Sequence, residues 1–168
     1  MSEDASEKRF IVDIMLGKVA KWLRVLGFDA ACVRLADREQ VDAYLRQGYI
    51  LITRSQKWRG PPGIFQPTSN DPAEQLREVI SGIPIQYHEV HPLRRCILCN
   101  ERLQRIPHNQ VFGEVPDYVF ETNTLFQRCP RCRKLYWPGS HQQHMVERLR
   151  GLFAGSGLEI IHDEEGER

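Results

Sequence analysis

An α/β fold with a parallel sheet, followed by a small metal-held domain, is what this sequence predicts. Three observations carry that expectation. Strand-like and helix-like segments alternate from Phe10 to Ile80, the order in which helix-covered parallel sheets are built. Four cysteines come as two tight pairs, Cys96-Ile-Leu-Cys99 and Cys129-Pro-Arg-Cys132. From Arg94 the long periodic segments give way to short ones between and around those pairs.

Taken in order, Phe10-Ile-Val-Asp13 is a short apolar run closed by an acid and reads as a buried strand. Leu16, Val19, Ala20, Leu23 and Leu26 have helical spacing, and Gly27 stands where a helix end wants positive φ. Ala30 to Leu35 suits a second strand. Asp37, followed three residues later by Gln40, resembles a capping box that opens a helix running to Gln47. Gly48 ends it, and Tyr49 to Thr53 is the next buried strand. Residues 59–69 are rich in Gly and Pro and read as loop, with room for a short strand at 64–66. Asp71-Pro72 starts a further helix to about Ile80. Ile83 to Val90 is expected as an edge strand, and a last helix is expected from Gln142 to Phe153. These readings divide the chain into a flexible polar tail at 1–9, a sheet domain at 10–93, a metal-bearing domain with its closing helix at 94–154, and a flexible acidic tail at 155–168.

Two residues between paired cysteines let both sulfurs of a turn converge on one ion, and two such turns complete the tetrahedral thiolate shell that zinc prefers. The 29 residues from Asn100 to Arg128 exceed the commonest spacing between knuckles, so a hairpin or insertion must lie there. Disulfides, a redox dithiol and iron compete with zinc for Cys96, Cys99, Cys129 and Cys132. The polar, acidic start lacks the apolar core of a signal peptide. No apolar run reaches the length of a membrane span. A reducing, cytoplasmic setting is therefore expected, and it favours metal over disulfide. Cys32 stands apart and reads as a small buried residue.

The net charge of +1 hides an uneven distribution. Residues 94–154 hold ten Lys/Arg against five Asp/Glu, whereas 155–168 hold one against five. A basic segment suits a polyanionic partner and also suits an ordinary solvated surface. Lys18, Lys21 and Arg24 recur every third residue on the first helix, either as a phosphate-binding ridge or as a solvated face. Arg131, Arg133 and Lys134 interleave with Phe126, Tyr136 and Trp137. Such aromatics serve equally as base-stacking platforms or as the core around a metal. In parallel sheets, binding groups gather past the carboxyl ends of strands. Asp13 and Ser55 have such positions, and Asp37 opens a neighbouring helix. Carboxylates gathered there suit Mg²⁺ or Mn²⁺; Asp13 as a strand terminator and Asp37 as a plain helix cap are the competing readings. No glycine-rich phosphate loop and no nucleophile elbow is present.

Residues 10–29, Phe-Ile-Val-Asp-Ile-Met-Leu-Gly-Lys-Val-Ala-Lys-Trp-Leu-Arg-Val-Leu-Gly-Phe-Asp, closely resemble the opening motif of the mut-seven carboxy-terminal ribonuclease family. The likeness continues at Ile50-Leu-Ile-Thr-Arg54, Pro72-Ala-Glu-Gln-Leu76, Cys96-x-x-Cys-Asn100 and Arg128-Cys-Pro-x-Cys132, and closes at Tyr136-Trp-Pro-Gly-Ser-His141. The resemblance implies a PIN-like nuclease domain at 10–93 with a zinc ribbon after it, acting on single-stranded or structured RNA. It implies catalytic acids that hold Mg²⁺ or Mn²⁺, with Asp13 matching the first and Asp37 the acid that opens the second helix. It also implies an acid after Thr53-Arg54, where this chain has Ser55. Lys18, Lys21, Arg24 and Arg54, with Arg131, Arg133, Lys134 and Trp137 from the ribbon, are then the expected RNA contacts. The expected activity is metal-dependent hydrolysis of RNA. Because a serine hydroxyl is a weak neutral ligand, the alternative is a catalytically weakened or inactive module that binds RNA or a protein partner.

Overall fold

The computed structural model describes residues 7–85 and 87–139. Strands β1 (Arg9–Asp13), β2 (Asp29–Val33), β3 (Ile50–Ile52) and β4 (Ile64–Phe65) form one parallel sheet in the order β2-β1-β3-β4. β1 lies inside, paired on both sides, with Val12 opposite Cys32 on one neighbour and Ile52 on the other. Its alternation is used in full. Phe10 and Val12 join one buried cluster with Leu16, Val19 and Leu23 of the chain that follows, and Ile11 joins a second cluster across the sheet with Val41 and Trp58. Helix α1 (Gly17–Val25) and helix α3 (Pro72–Gly82) cover the first face, while α2 (Arg38–Arg46) covers the second.

The helix ends obey local chemistry. Asp37 and Asp71 cap α2 and α3, the Asp71 carboxylate accepting from the N–H of Ala73 and Glu74. The α1 end is a Schellman turn: Phe28 N–H reaches the Leu23 carbonyl, and Gly27 N–H reaches that of Arg24. Gly27 has φ +96°, and a Cβ there would stand 2.1 Å from the His91 carbonyl oxygen, so the position excludes any side chain. Two short 3₁₀ turns matter for the site. Ile14–Leu16 sits between β1 and α1, and Gln56–Trp58 follows β3.

No strand is found among the described residues of the expected edge strand at Ile83–Val90. Among the described residues there, Ile83 and Ile85 are buried against the α1–α3 cluster, and a 3₁₀ turn occupies Tyr87–Glu89. The apolar alternation reflects burial against helices, and Pro84 has no N–H to give to a ladder. The expected helix at Gln142–Phe153 and both tails lie outside the described residues, except for residues 7–9.

After the sheet, the chain makes the first cysteine turn and then three antiparallel strands, β5 (Gln104–Ile106), β6 (Phe126–Arg128) and β7 (Leu135–Tyr136), in the order β5-β6-β7. The second cysteine turn joins β6 to β7. The long spacer between the cysteine pairs holds β5, a 3₁₀ turn and the short helix α4 (Asp117–Thr122), which pack Val111, Val115 and Val119 against Phe126.

This unit is stitched to the edge of the sheet. Asn100 Nδ2 donates to Asp29 Oδ1 (2.7 Å), and Asn100 Oδ1 accepts from the Ala30 N–H (3.0 Å). Asn100 itself has φ +64°, a region that non-glycine residues seldom occupy. Replacing Asn100 by Gly keeps the backbone and removes both bonds, which should cost about 1–3 kcal/mol in urea unfolding. Asn100→Ala should cost roughly 1 kcal/mol more, because it adds left-handed strain.

Candidate functional site

Two turns of like construction present the cysteines. In the first, Cys99 N–H points at the Cys96 sulfur (3.4 Å) and Asn100 N–H at the Cys96 carbonyl (2.9 Å). In the second, Cys132 N–H points at the Cys129 sulfur (3.5 Å) and Arg133 N–H at the Cys129 carbonyl (3.0 Å). Asn100 and Arg133, each just after the second cysteine of a pair, share positive φ. All four cysteines are free, and their sulfurs lie within 4.8 Å of one another. The Cys96 and Cys132 sulfurs are 3.7 Å apart. A tetrahedron with metal–sulfur bonds of about 2.3 Å has edges of about 3.8 Å, so the set fits a metal such as zinc. The electrostatics agree. Burial alone would raise the Cys96 thiol, but hydrogen bonds from the Tyr136 hydroxyl and from the N–H of Cys99 and Leu98 hold it at about 7. Cys99 is pushed up to about 12 by burial and by the neighbouring sulfurs. Four crowded thiols resist joint ionisation unless a cation sits among them.

The other sequence-predicted residues divide between the carboxyl edge of the sheet and the ribbon. Asp13, the last residue of β1, is 5% exposed, and its Oδ2 accepts from the Thr53 hydroxyl at 2.6 Å. Thr53 Oγ1 in turn accepts from the Ser55 N–H (3.1 Å), and the Ser55 carbonyl accepts from Gln66 Nε2 (2.8 Å). The acid and the serine are thus linked through one hydroxyl across β1 and β3. Sequence patterns alone did not mark Thr53 as a participant; a polar residue ending an apolar strand was its only signal. Asp37 is exposed and accepts from the Gln40 N–H at 2.8 Å. Gln40 Oε1 takes the N–H of Ala36, one residue short of the expected capping box. Among the described residues, the cysteines are the one group of three or more His, Cys, Asp or Glu whose ligand atoms approach within 4.8 Å. Among the described residues, neither Asp13 nor Asp37 belongs to such a group.

Two residues beyond Asp13 a cleft opens between α1, the end of β2 and the start of α3. It encloses about 560 Å³, and Lys18, Lys21, Arg24 and Arg54 line it together with Met15, Cys32, Asn70 and Gln75. Among the described residues, no carboxylate lines it. Lys18 and Lys21 are exposed, and so is Met15 (58%). Arg24 departs from the expected ridge: it is 7% exposed. Its Nε donates to the Ala30 carbonyl (2.8 Å), and its Nη1 to the carbonyls of Ile97 (2.8 Å) and Leu98 (3.2 Å) in the first cysteine turn. Burial lowers its pKa, opposed by nearby thiols and Asp29. Burial also pushes the Cys32 thiol up, against the pull of Arg24.

On the ribbon, Arg131, Arg133 and Lys134 are exposed. Two of the aromatics are used in packing, Phe126 and Tyr136 being buried, and Trp137 packs half-buried beside Phe126 with ring centroids 6.4 Å apart. Trp137, just past β7, thus packs one side against the α4 cluster and keeps part of its surface exposed.

Compared with known proteins, residues 8–149 match the family model described as the Mut7-C RNAse domain. No curated protein and no solved structure matches the chain.

The thiolate set makes a direct prediction. Purified protein should carry about one zinc per chain by elemental analysis. Cys129→Ser should lower that content and disturb the Trp137 fluorescence, while the far-UV signal of the parallel sheet persists.

Proposed function

The chain belongs to the Mut7-C RNAse domain family, and from that premise we propose that it binds RNA and hydrolyses its phosphodiester bonds with Mg²⁺ or Mn²⁺. The observation that carries this reading is the placement, at one sheet edge, of a buried acid and of a cationic cleft, lined by no carboxylate among the described residues, that begins two residues after it. Asp13 and Asp37 are the proposed ligands of the divalent ion, with Ser55 contributing through its hydroxyl or a water. Such an ion supplies an activated water and offsets charge developing on phosphate. The chain's own residues do the rest. Thr53 fixes the Asp13 carboxylate by donating to one oxygen, which leaves the other for a ligand. Lys18, Lys21 and Arg54 hold the RNA backbone by its phosphates. The ribbon adds exposed charge through Arg131, Arg133 and Lys134. In this division of labour residues 10–93 carry the chemistry, and residues from 94 onward carry the scaffold and further substrate contacts.

A second reading is favoured by Ser55. The chain has a neutral residue where the family resemblance expects a carboxylate, and a site short of one charge holds a divalent ion weakly. On that reading the protein binds RNA without cutting it.

Asp13→Asn should reduce Mn²⁺-dependent cleavage of a labelled RNA by roughly 100-fold or more, the scale of losing one preorganised charge at a reacting centre, with the circular dichroism unchanged. Undiminished cleavage would remove Asp13 from the site. Ser55→Asp separates the two readings: cleavage that emerges from a silent parent supports the binding module, and strong cleavage by the parent excludes it.

A further inference from the structure

Arg24 holds a charge in an unusual setting. It is more than nine-tenths buried, and among the described residues no carboxylate pairs with it. Nε and Nη1 are occupied by backbone carbonyls, while Nη2 has no hydrogen-bond partner among the described residues. That nitrogen is not sealed into the core either, because Arg24 lines the cleft. A guanidinium stripped of water and given only neutral partners is costly unless an anion completes its shell.

The rest of the cleft has the same sign. Lys18 and Lys21 stand on the turns of α1 leading to Arg24, and neither makes an ion pair with a described residue. Arg54 faces them from beyond β3; one of its nitrogens lies 3.4 Å from the Thr68 carbonyl, and Glu78 is close enough to feel its charge. The start of α3 closes the other wall. There Asp71 already occupies the N–H of Ala73 and Glu74, so the helix end offers no free donors from those two, and the side chains must do the binding.

We propose that this cleft is a recognition pocket for a terminal phosphate monoester of RNA, with Arg24 Nη2 at its floor and Lys18, Lys21 and Arg54 around its rim. The inference deepens the RNA reading above and rests on it. Two features favour a chain end over a phosphodiester in passing. A terminal phosphate carries a charge near −2 at neutral pH, against −1 for a diester, and so better balances four cations whose shared cleft has no carboxylate among its described lining residues. The guanidinium of Arg24 is the most buried of the four cations, at 7% exposure against the exposed lysines, and a chain end reaches such a group more easily than a continuous strand does. The volume of about 560 Å³ suits one nucleotide-sized ligand. Met15, exposed on the rim, gives the first base an apolar surface.

The test uses the full-length, metal-loaded chain and fluorescence anisotropy with one short RNA sequence ended by 5′-phosphate, 3′-phosphate or hydroxyls only. One phosphorylated form should bind at least tenfold more tightly than the hydroxyl-ended form, and inorganic phosphate should compete away that advantage. Lys21→Met should abolish the preference, so that all three RNAs bind alike, while binding of the hydroxyl-ended RNA falls by the smaller amount expected for one lost backbone contact. Arg24→Lys should do the same; because Arg24 also clamps the ribbon, Lys21→Met alone decides between the outcomes if the arginine variant does not fold. Equal affinity for all three RNAs, with the lysine variant weakening each alike, overturns the terminal-phosphate pocket and leaves RNA binding standing. Saturable binding of inorganic phosphate that Lys21→Met removes, with no binding of any RNA, keeps the anion site and overturns its assignment to RNA.

Discussion

The structure turns on the open edge of β2. A parallel sheet of four short strands leaves one side of β2 with unpaired backbone groups, the kind of edge that invites unwanted pairing. Here the groups at Ala30 are closed by side chains: Asn100 accepts from its N–H, and Arg24 donates to its carbonyl. Asn100 is anchored in turn on Asp29, which Arg95 also approaches at 3.7 Å. Each bond contributes only about 0.5–1.5 kcal/mol net, but together they dock the cysteine unit in one orientation. That unit has a small apolar core of its own, so a fixed seat on a larger body is what lets its turns hold their shape.

This contact also shows why the sequence was legible in some places and opaque in others. The β1 strand, helices α1, α2 and α3, and the cysteine quartet were readable because each is specified locally, by periodicity, by caps or by the two-residue spacing of ligands. The segment from Ile83 misled because alternation reports which residues are buried and not what the backbone bonds to. Trp137 stayed ambiguous for a related reason. A basic segment rich in aromatics looks alike whether its rings stack on bases or fill a core, and the placement of α4 beside β6 is what buries Phe126 and leaves Trp137 half-exposed.

Arg24 is the clearest case in the candidate site. A three-residue step on an α-helix falls about 60° short of a full turn. A ridge running Lys18, Lys21, Arg24 has therefore rotated about 120° by its third member, from solvent toward the buried stripe. That much is arithmetic on the sequence. What the sequence did not supply is the partner, since the carbonyls of Ile97 and Leu98 lie more than seventy residues away. The same holds for Asp13. Its place at a strand end was legible, but the hydroxyl of Thr53 that orients it depends on β3 lying beside β1 in the observed register.

A closed thiolate shell has no open position for catalysis, so its presence in a ribonuclease family domain calls for a structural reason. The two carbonyls that hold Arg24 Nη1 belong to the residues lying between Cys96 and Cys99. Whatever fixes those sulfurs fixes the carbonyls, and through them the guanidinium of Arg24, which lines the cationic cleft. Without the turn, Arg24 would lose two of its three acceptors and gain rotamer freedom, and a charge free to swing into water is a poorer anion ligand than one held in place. The cysteine turn thus acts on the cleft at one remove, by setting the position of a single arginine.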